Sequence, residues 1–146
     1  MAFLNAMNIS ASGLTAQRLR LDVISENIAN AKTTRTESGQ PYRRKMVVFE
    51  PSSKGSFKDS LINAAGSSNN QQGVMVTQVE EDNSPLKQVY DPKNPDADAN
   101  GYVSYPNVDL LKETVDSMDA TRSYYANVTA FNAIKDMATK GLEVGK

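Results

Sequence analysis

The stretch LNAMNISASGLTAQRLRLDVISENIANA, residues 4–31, decides the fold because its apolar residues keep a helical period from end to end. Apolar side chains recur every seven positions, at Met7, Leu14, Leu21 and Ile28. Side chains with this spacing form a stripe along one side of an α-helix. The pattern predicts one amphipathic helix over residues 3–31, followed by the turn-forming residues 33–41.

The C-terminal part of the chain carries a second apolar stripe. Its positions recur mostly at steps of three or four, at Leu111, Val115, Met118, Tyr125, Val128, Phe131, Ile134, Ala138 and Leu142. We predict a helix that starts at Asn107, which is a good N-cap residue, and runs to about Gly141. An isolated helix of this kind is marginal in water, so each stripe needs a partner, either the other helix or another chain.

The middle of the chain has a pattern that is typical of short strands and turns. β-branched and aromatic residues predict strands over 42–50, 73–80, 86–90 and 101–105. Residues 51–73 are polar and predict a mobile loop, with at most a short helix near 60–65. The predicted fold class is α+β, in which long N- and C-terminal helices pair as a coiled coil beside a small β-rich middle segment. The predicted domains are a terminal helical domain, 1–34 with 107–146, and a β-rich domain, 35–106.

Composition narrows the classes of function. The 146 residues include 16 basic and 17 acidic side chains, which gives a net charge of -1. The chain as a whole is therefore not attracted electrostatically to nucleic acid or anionic lipid. There is no cysteine and no histidine, which removes thiolate chemistry and the commonest general base. No phosphate loop, dinucleotide motif or catalytic triad occurs, so we expect neither an enzyme nor a cofactor.

Targeting signals are equally sparse. No apolar run reaches the roughly 18 residues of a membrane span. The N-terminal residues lack the positive region and apolar core of a signal peptide. If the protein leaves the cytoplasm, we expect it to leave uncleaved and by another route.

Two segments match parts of known binding sites and define alternative functions. Asp96–Gly101 copies the first half of a calcium loop, but the twelfth position holds Asn107 instead of a bidentate Glu. A structural turn is favoured there, and a calcium-responsive regulator is one alternative. Arg43–Lys45 is a basic run, which predicts a charged strand edge. A secreted module that contacts peptidoglycan or nucleic acid through this edge is the other alternative.

Polar residues on the predicted helices point to packing between helices. Asn27, Asn30 and Asn127 place carboxamides among small residues beside the stripes, where an amide can fix the register of helices. An ordinary solvated helix face is the alternative. A second face of the first helix is made of small residues that can accept close neighbours: Ala2, Ala6, Ser10, Ser12 and Ala16. We expect the carboxylates of Asp116 and Asp119 to lie on a solvated face of the second helix.

The same residues carry a family likeness. Leu14, Gln17, Leu21, Ile24, residues 27–30 and the pair Thr33 and Thr34 resemble the N-terminal signature of bacterial flagellar rod and hook proteins. Residues 101–109 and 115–128 are similar to the proximal-rod C-type subunits of that family, as are residues 42–45 and 91–101.

The resemblance implies a structural protein without catalytic activity. Members of the family self-assemble helically into the proximal rod, the drive shaft that spans the periplasm, transmits torque and forms part of the export channel. They leave the cytoplasm through the flagellar type III export apparatus without a cleaved signal peptide. The implied partners are the other proximal and distal rod proteins, the rod adaptor and the membrane-supramembrane ring, with no nucleic acid and no small-molecule substrate.

The residues that we expect to form the assembly interface lie on both helices. They are Met7, Leu14, Leu21, Asn27, Ile28 and Asn30 in the first helix, and Val115, Met118, Tyr125, Asn127, Val128 and Phe131 in the second. We expect the termini to be weakly ordered in the free monomer and to become helical on assembly.

Overall fold

A computed structural model describes residues 2–52 and 73–144 of the chain. In this part of the chain the elements are α1 (Ala2–Ala29), β1 (Lys45–Pro51), β2 (Val74–Glu81), β3 (Lys87–Tyr90), β4 (Tyr102–Tyr105) and α2 (Leu110–Val144). The predicted α+β class, with a long helix at each end and a small β-rich middle, is confirmed. The loop predicted for 51–73, with its short helix near 60–65, lies outside the described residues except at its two ends.

The beginning of α2 differs from the prediction in the residue that caps it. The helix begins at Leu110, and the Asp109 carboxylate accepts a 3.0 Å hydrogen bond from the backbone N–H of Leu111. Asp109 is therefore the N-cap, and the prediction of Asn107 is wrong. Both are good cap residues, but the side-chain oxygen of Asn107 already accepts the backbone N–H of Arg44 at 2.8 Å.

The described strands form two antiparallel pairs. β1 pairs with β2, and backbone bonds of 2.7 Å close this ladder at both ends, from Asp82 to Arg44 and from Ser52 to Gly73. β3 pairs with β4 in a register that runs from Lys87 opposite Tyr105 to Tyr90 opposite Tyr102. Two-stranded sheets of this size are marginal alone, so the strands depend on packing against the helices.

The chain forms two compact units, whose boundaries fall inside α1, β1, β2 and α2. The core unit comprises 19–48 and 78–121, and the terminal unit comprises 1–18, 49–77 and 122–146. The core unit holds most of the buried side chains, which are Val23, Ile24, Asn27, Tyr42, Val103, Pro106, Val108, Glu113 and Ala120. In the terminal unit, Ser10 and Ala16 are the buried side chains among the described residues. The predicted division into a helical and a β-rich domain stays a prediction.

Small side chains allow α1 and α2 to approach closely in the terminal unit. A Cβ atom added to Gly13 would lie 3.1 Å from the side-chain amide of Asn127, which shows how little room separates the two helices. Ser10 and Ala16 are buried on the same helix. The small-residue face that we predicted to accept close neighbours is therefore used, at least in part, inside the chain.

The buried face of α2 is nearly opposite its exposed apolar residues. Glu113 and Ala120 are fully buried, while Leu111, Val115 and Met118 are exposed by 77%, 52% and 58%. At 3.6 residues per turn, these two sets lie about half a turn apart around the helix. The helix thus uses one face inside the chain and leaves a different, apolar face uncovered. No helix in the described ranges is long and apolar enough to cross a membrane.

Candidate functional site

Asn27 is the most completely bonded polar side chain in the core unit. It is 1% exposed, and its amide donates to the Lys45 carbonyl at 2.9 Å and to the Glu113 carboxylate at 3.1 Å. Its oxygen accepts the Lys45 N–H and the Tyr42 hydroxyl, each at 2.9 Å. An asparagine side chain has two donor hydrogens and two lone pairs, so all of its hydrogen-bonding capacity is used. One residue therefore ties α1 to the first residue of β1 and to α2.

Glu113 is a carboxylate buried to 0% exposure, and a guanidinium balances it. Arg44 donates to Glu113 from Nε at 2.6 Å and to Asp116 from Nη2 at 3.2 Å. Asp116 also pairs with Arg20 of α1 at 3.7 Å. A buried ion has to be paired and hydrogen-bonded to be tolerated, and this arrangement meets both conditions. Our prediction that Asp116 lies on a solvated face is wrong, because α2 turns it towards two arginines.

The hydroxyl of Tyr42 is kept protonated in this environment. Burial raises the pKa of Tyr42 to about 12, and the nearby carboxylates of Glu26, Glu113 and Glu81 act in the same direction. The protonated hydroxyl is the form that donates to Asn27. The ammonium group of Lys45 lies 5.6 Å from the centroid of the Tyr42 ring and pairs with Glu26.

Asn107 connects the segment before β1 with the end of β2. Its oxygen accepts the Arg44 N–H, and its amide donates to the Asp82 carbonyl at 3.0 Å. The Arg43 guanidinium donates to the same carbonyl at 3.3 Å. We call Asn27, Tyr42, Arg44, Asn107, Glu113 and Asp116 the polar cluster. Within the core unit it joins α1, α2 and the end of the β1–β2 ladder at which β1 begins and β2 ends. Its role is therefore to position these elements.

Each side chain of the basic run is engaged in the structure. Arg43 donates to backbone carbonyls, Arg44 pairs with Glu113 and Asp116, and Lys45 pairs with Glu26. The run is thus a set of internal contacts, which leaves little free positive charge for a phosphate or an acidic polymer.

The loop that resembles a calcium site bonds to itself and to the segment after α1. The carboxylate of Asp98 accepts the backbone N–H groups of Asn100 and Tyr102, at 2.8 and 2.9 Å. Asp96 accepts the Thr34 hydroxyl at 2.7 Å. Gly101 has a φ of 80°, which suits a residue without a side chain at the end of such a turn. The described residues contain no group of three or more side chains arranged to hold a metal ion.

The predicted assembly residues differ widely in exposure. Asn27 is buried, and Met7, Leu14, Leu21, Asn30, Asn127, Val128 and Phe131 are half-buried. Ile28, Val115, Met118 and Tyr125 are exposed. We call Leu111, Val115 and Met118 the exposed stripe of α2; Tyr125 follows Met118 by seven residues on the same helix. Large uncovered apolar side chains at helical spacing are typical of a surface that binds another protein.

Sequence reasoning missed Glu113. A weak signal was present, because Glu113, Ala120, Asn127 and Ile134 are spaced seven residues apart, so a charged residue occupies a position of the inner period. A carboxylate on an inward-facing position needs a cation, and Arg44 is a candidate within the basic run. The sequence alone does not say which of the basic residues is the partner.

Fold and surface together are typical of a class of structural subunits that bind other proteins through exposed apolar helix faces. The family model described as flagella basal body rod protein matches residues 7–35, and the model for the C-terminal part of the flagellar basal body rod FlgEFG proteins matches residues 99–144. The chain is 53% identical to the flagellar basal-body rod protein FlgC of Bacillus subtilis over the full length of both chains. It is 46% identical to FlgC of Borreliella burgdorferi, over 99% of this chain and 98% of the relative, and 44% identical to FlgC of Salmonella typhimurium over both full lengths.

The chain belongs to the flagellar basal-body rod protein family, and the three relatives named above are FlgC members of that family. The resemblance that the sequence indicated is confirmed, including its C-type character. The protein is a structural subunit of the basal-body rod and associates with other components of the flagellar basal body.

Proposed function

We propose that this subunit belongs to the proximal rod and builds it by helical self-association through the apolar faces of its terminal helices. The observation that carries the proposal is the exposed stripe of α2, since Leu111, Val115 and Met118 face away from the interior of their own unit. Ile28 of α1, 39% exposed, and Tyr125 of α2, 64% exposed, offer further apolar contacts.

The energy available from these surfaces is enough to matter for assembly. Full burial of a large apolar side chain contributes about 1.5–3 kcal/mol, and a side chain that is half exposed has about half of that still to gain. Five such side chains therefore offer roughly 4–8 kcal/mol per subunit before the cost of association. A rod repeats this contact at each subunit, so a weak pairwise contact becomes a stable structure.

Asn27 has a different part in the proposal. Its hydrogen bonds are all made within the core unit, so it positions the helices that carry the interface and makes no contact of its own. The half-buried residues of the predicted interface, such as Leu14, Leu21 and Phe131, are proposed to complete their burial against neighbouring subunits.

The partners and the location follow from the same proposal. Neighbours would be further copies of this chain, the other proximal and distal rod proteins, the rod adaptor and the membrane-supramembrane ring. The subunit would reach the periplasmic part of the rod through the flagellar type III export apparatus, without a cleaved signal peptide. The family membership supports these assignments, and the uncovered helix faces supply a physical reason for them.

The test places a charge on the exposed stripe. Val115→Asp puts a carboxylate where a neighbour would bury an apolar group, while the monomer loses little because Val115 is 52% exposed. Ala130→Asp is the matched control, because Ala130 is an exposed residue of the same helix that lies outside the exposed stripe, roughly 90° around the helix from its centre. Each variant would replace the resident protein in a motile bacterium, and basal bodies would be purified and analysed for the chain.

We expect the Val115→Asp chain to melt at the same temperature as the unaltered chain but to be missing from basal bodies, with loss of swimming. The Ala130→Asp chain should be incorporated and support swimming. Normal incorporation of Val115→Asp would contradict the proposal that this stripe is an assembly surface.

A further inference from the structure

The terminal unit contains an open cleft of about 510 Å³ between α1, α2 and the adjoining ends of β1 and β2. One wall is formed by Ile9, Gly13 and Gln17, which are spaced four residues apart and so lie along one line on α1. Phe49, Val74 and Asn127 face them. Most of this lining is apolar, and the space is large enough for a side chain.

Gln17, which lines this cleft, carries an unpaired acceptor. The side-chain oxygen of Gln17 is buried, and it is the one such side-chain atom within residues 2–52 and 73–144 that lacks a hydrogen-bond partner. Buried polar groups are nearly always paired, and an unpaired one costs about 1–3 kcal/mol. The isolated subunit therefore keeps a cost that a donor in the cleft would remove once the Gln17 side chain rotates to present its oxygen to the cleft. An occupant of matching chemistry is an apolar side chain with an N–H or O–H group at its tip.

Tyr125 has the required chemistry. It is 64% exposed although its ring is largely apolar, and its hydroxyl is a donor. The ring of Tyr124 packs edge to face against it, with centroids 6.0 Å apart, which restricts the orientation of the side chain. Tyr90 is equally exposed, but it lies in β3 and its ring packs on Tyr102. Only Tyr125 of these two is on the helix that carries the exposed stripe.

The positions of the cleft and of Tyr125 determine what kind of contact they can make. Asn127 lines the cleft, and Tyr125 precedes it by two residues, which places the two side chains roughly 200° apart around α2. Tyr125 therefore points away from the cleft of its own chain. A contact between unlike surfaces on opposite sides of a subunit is head-to-tail, and it produces a ring or an open helical array.

We propose that Tyr125 of one copy of this chain inserts into the cleft of the next copy and donates a hydrogen bond from its hydroxyl to the side-chain oxygen of Gln17. This contact rests on the proposed self-association and names the side chain and the cleft that join neighbouring copies. It explains together why an acceptor is left unpaired and why a tyrosine is left uncovered in the single chain. Burial of a tyrosine side chain removes about 150–250 Å² of surface, which makes it the anchor of the contact.

The first test is a competition within one cell. Unaltered and variant chains, distinguished by mass, are produced in equal amounts, and their ratio in purified basal bodies is measured by mass spectrometry. We expect Tyr125→Phe and Gln17→Leu each to lower the incorporated fraction by about fivefold, because each removes one partner of a buried hydrogen bond. The double variant should fall no further than either single variant. Tyr90→Phe is the matched control and should be incorporated like the unaltered chain.

The second test locates the contact directly. A photoreactive phenylalanine analogue with a benzoyl group replaces Tyr125, or Tyr90 as the control, and basal bodies are irradiated. Crosslinked pairs of chains should be joined from position 125 to peptides that contain Ile9, Gly13 or Gln17. The monomer gives a third measurement, since Gln17→Leu removes the unpaired acceptor and should raise the Tm by about 3 °C or more.

The outcomes separate this inference from the function on which it rests. If the chain is found in basal bodies but Tyr125→Phe competes equally, or if the crosslinks reach other peptides, the contact proposed here is refuted and self-association stands. Absence of the chain from basal bodies would overturn both.

Discussion

Replacement of Asn27 by leucine tests whether the polar cluster holds the core unit together. Leucine has a similar volume, so the substitution removes hydrogen bonds and leaves no large void. Four groups lose a partner: the Lys45 N–H, the Lys45 carbonyl, the Tyr42 hydroxyl and one oxygen of Glu113. Water cannot replace the amide readily, because Asn27, Tyr42 and Glu113 are exposed by only 1%, 7% and 0%.

The expected loss of stability is large compared with the total free energy of unfolding. A buried group left without a partner costs about 1–3 kcal/mol, so the two backbone groups of Lys45 alone account for about 2–6 kcal/mol. The total free energy of unfolding of a domain is about 5–15 kcal/mol. We therefore expect Asn27→Leu to lower the free energy of unfolding by at least about 3 kcal/mol, which is roughly a third of a typical total.

Asn30 supplies the matched control on the same helix. Its side chain is half-buried, and its hydrogen bonds to other described residues go to Glu26 and Thr33, both within four positions, so Asn30→Leu should cost about 1 kcal/mol. Urea unfolding followed by far-ultraviolet circular dichroism measures both variants, which suits a chain without tryptophan. Equal midpoints for the two variants, or a loss below 1 kcal/mol for Asn27→Leu, would refute the assignment of Asn27 as the central residue of the cluster.

Three further substitutions probe other contacts. Glu113→Gln keeps the shape but leaves the Arg44 guanidinium without its nearest carboxylate, and urea titration should show a loss of about 3–5 kcal/mol. Gly73→Ala would bring a Cβ atom within 2.3 Å of the Ser12 hydroxyl oxygen, so thermal melting should fall by several degrees, and Ser12→Ala in the same chain should restore part of the loss. The unfolded state loses the Tyr42 proton near pH 10 and the folded state near pH 12, so stability falls between these values by up to about 1.4 kcal/mol per pH unit. Urea titrations repeated between pH 10 and pH 12 should show that Tyr42→Phe reduces this fall in stability. An unchanged dependence on pH would contradict the raised pKa of Tyr42.

The sequence predicts the secondary structure well because periodicity is a local property. α1 was expected over 3–31 and spans Ala2–Ala29, and the four predicted strands agree with the observed ones to within three residues at each end. Apolar spacing, β-branched residues and turn formers act over a few positions, so one sequence is enough to recognise them. The N-cap of α2 was missed for a related reason, since Asn107 and Asp109 have similar local preferences and a distant backbone group, the N–H of Arg44, decides between them.

The polar cluster could not be predicted in the same way because its members are far apart in the sequence. Asn27 and Glu113 are separated by 86 positions, and Arg44 and Asp116 by 72. Spacing within one helix gives the direction of a side chain but does not identify what lies opposite. The basic run and the Asp116–Asp119 pair were each visible, and the sequence did not indicate that Arg44 and Asp116 are partners.

The local sequence pattern also does not show which face of α2 is buried inside the chain. The stripe through Val115 and Met118 is as periodic as a buried one, yet the chain covers Glu113 and Ala120 instead. The physical reason is that an apolar stripe can be buried equally well against a neighbouring molecule as against another part of its own chain. The periodicity of the stripe is the same in both cases.

Placing the polar cluster inside and the apolar stripe outside gives each face of α2 a separate role. Apolar contacts are non-directional, so an apolar interior alone would resist sliding of α2 against α1 only weakly. A slip by one helical turn, about 5.4 Å, would instead separate Glu113 from Arg44 and Asn27, and an uncompensated buried charge costs about 3–5 kcal/mol. The cluster therefore fixes where Val115 and Met118 stand on the surface. In a helical assembly an error in that position recurs at each subunit, so a rod subunit needs a rigid internal register more than it needs the additional stability of a fully apolar core.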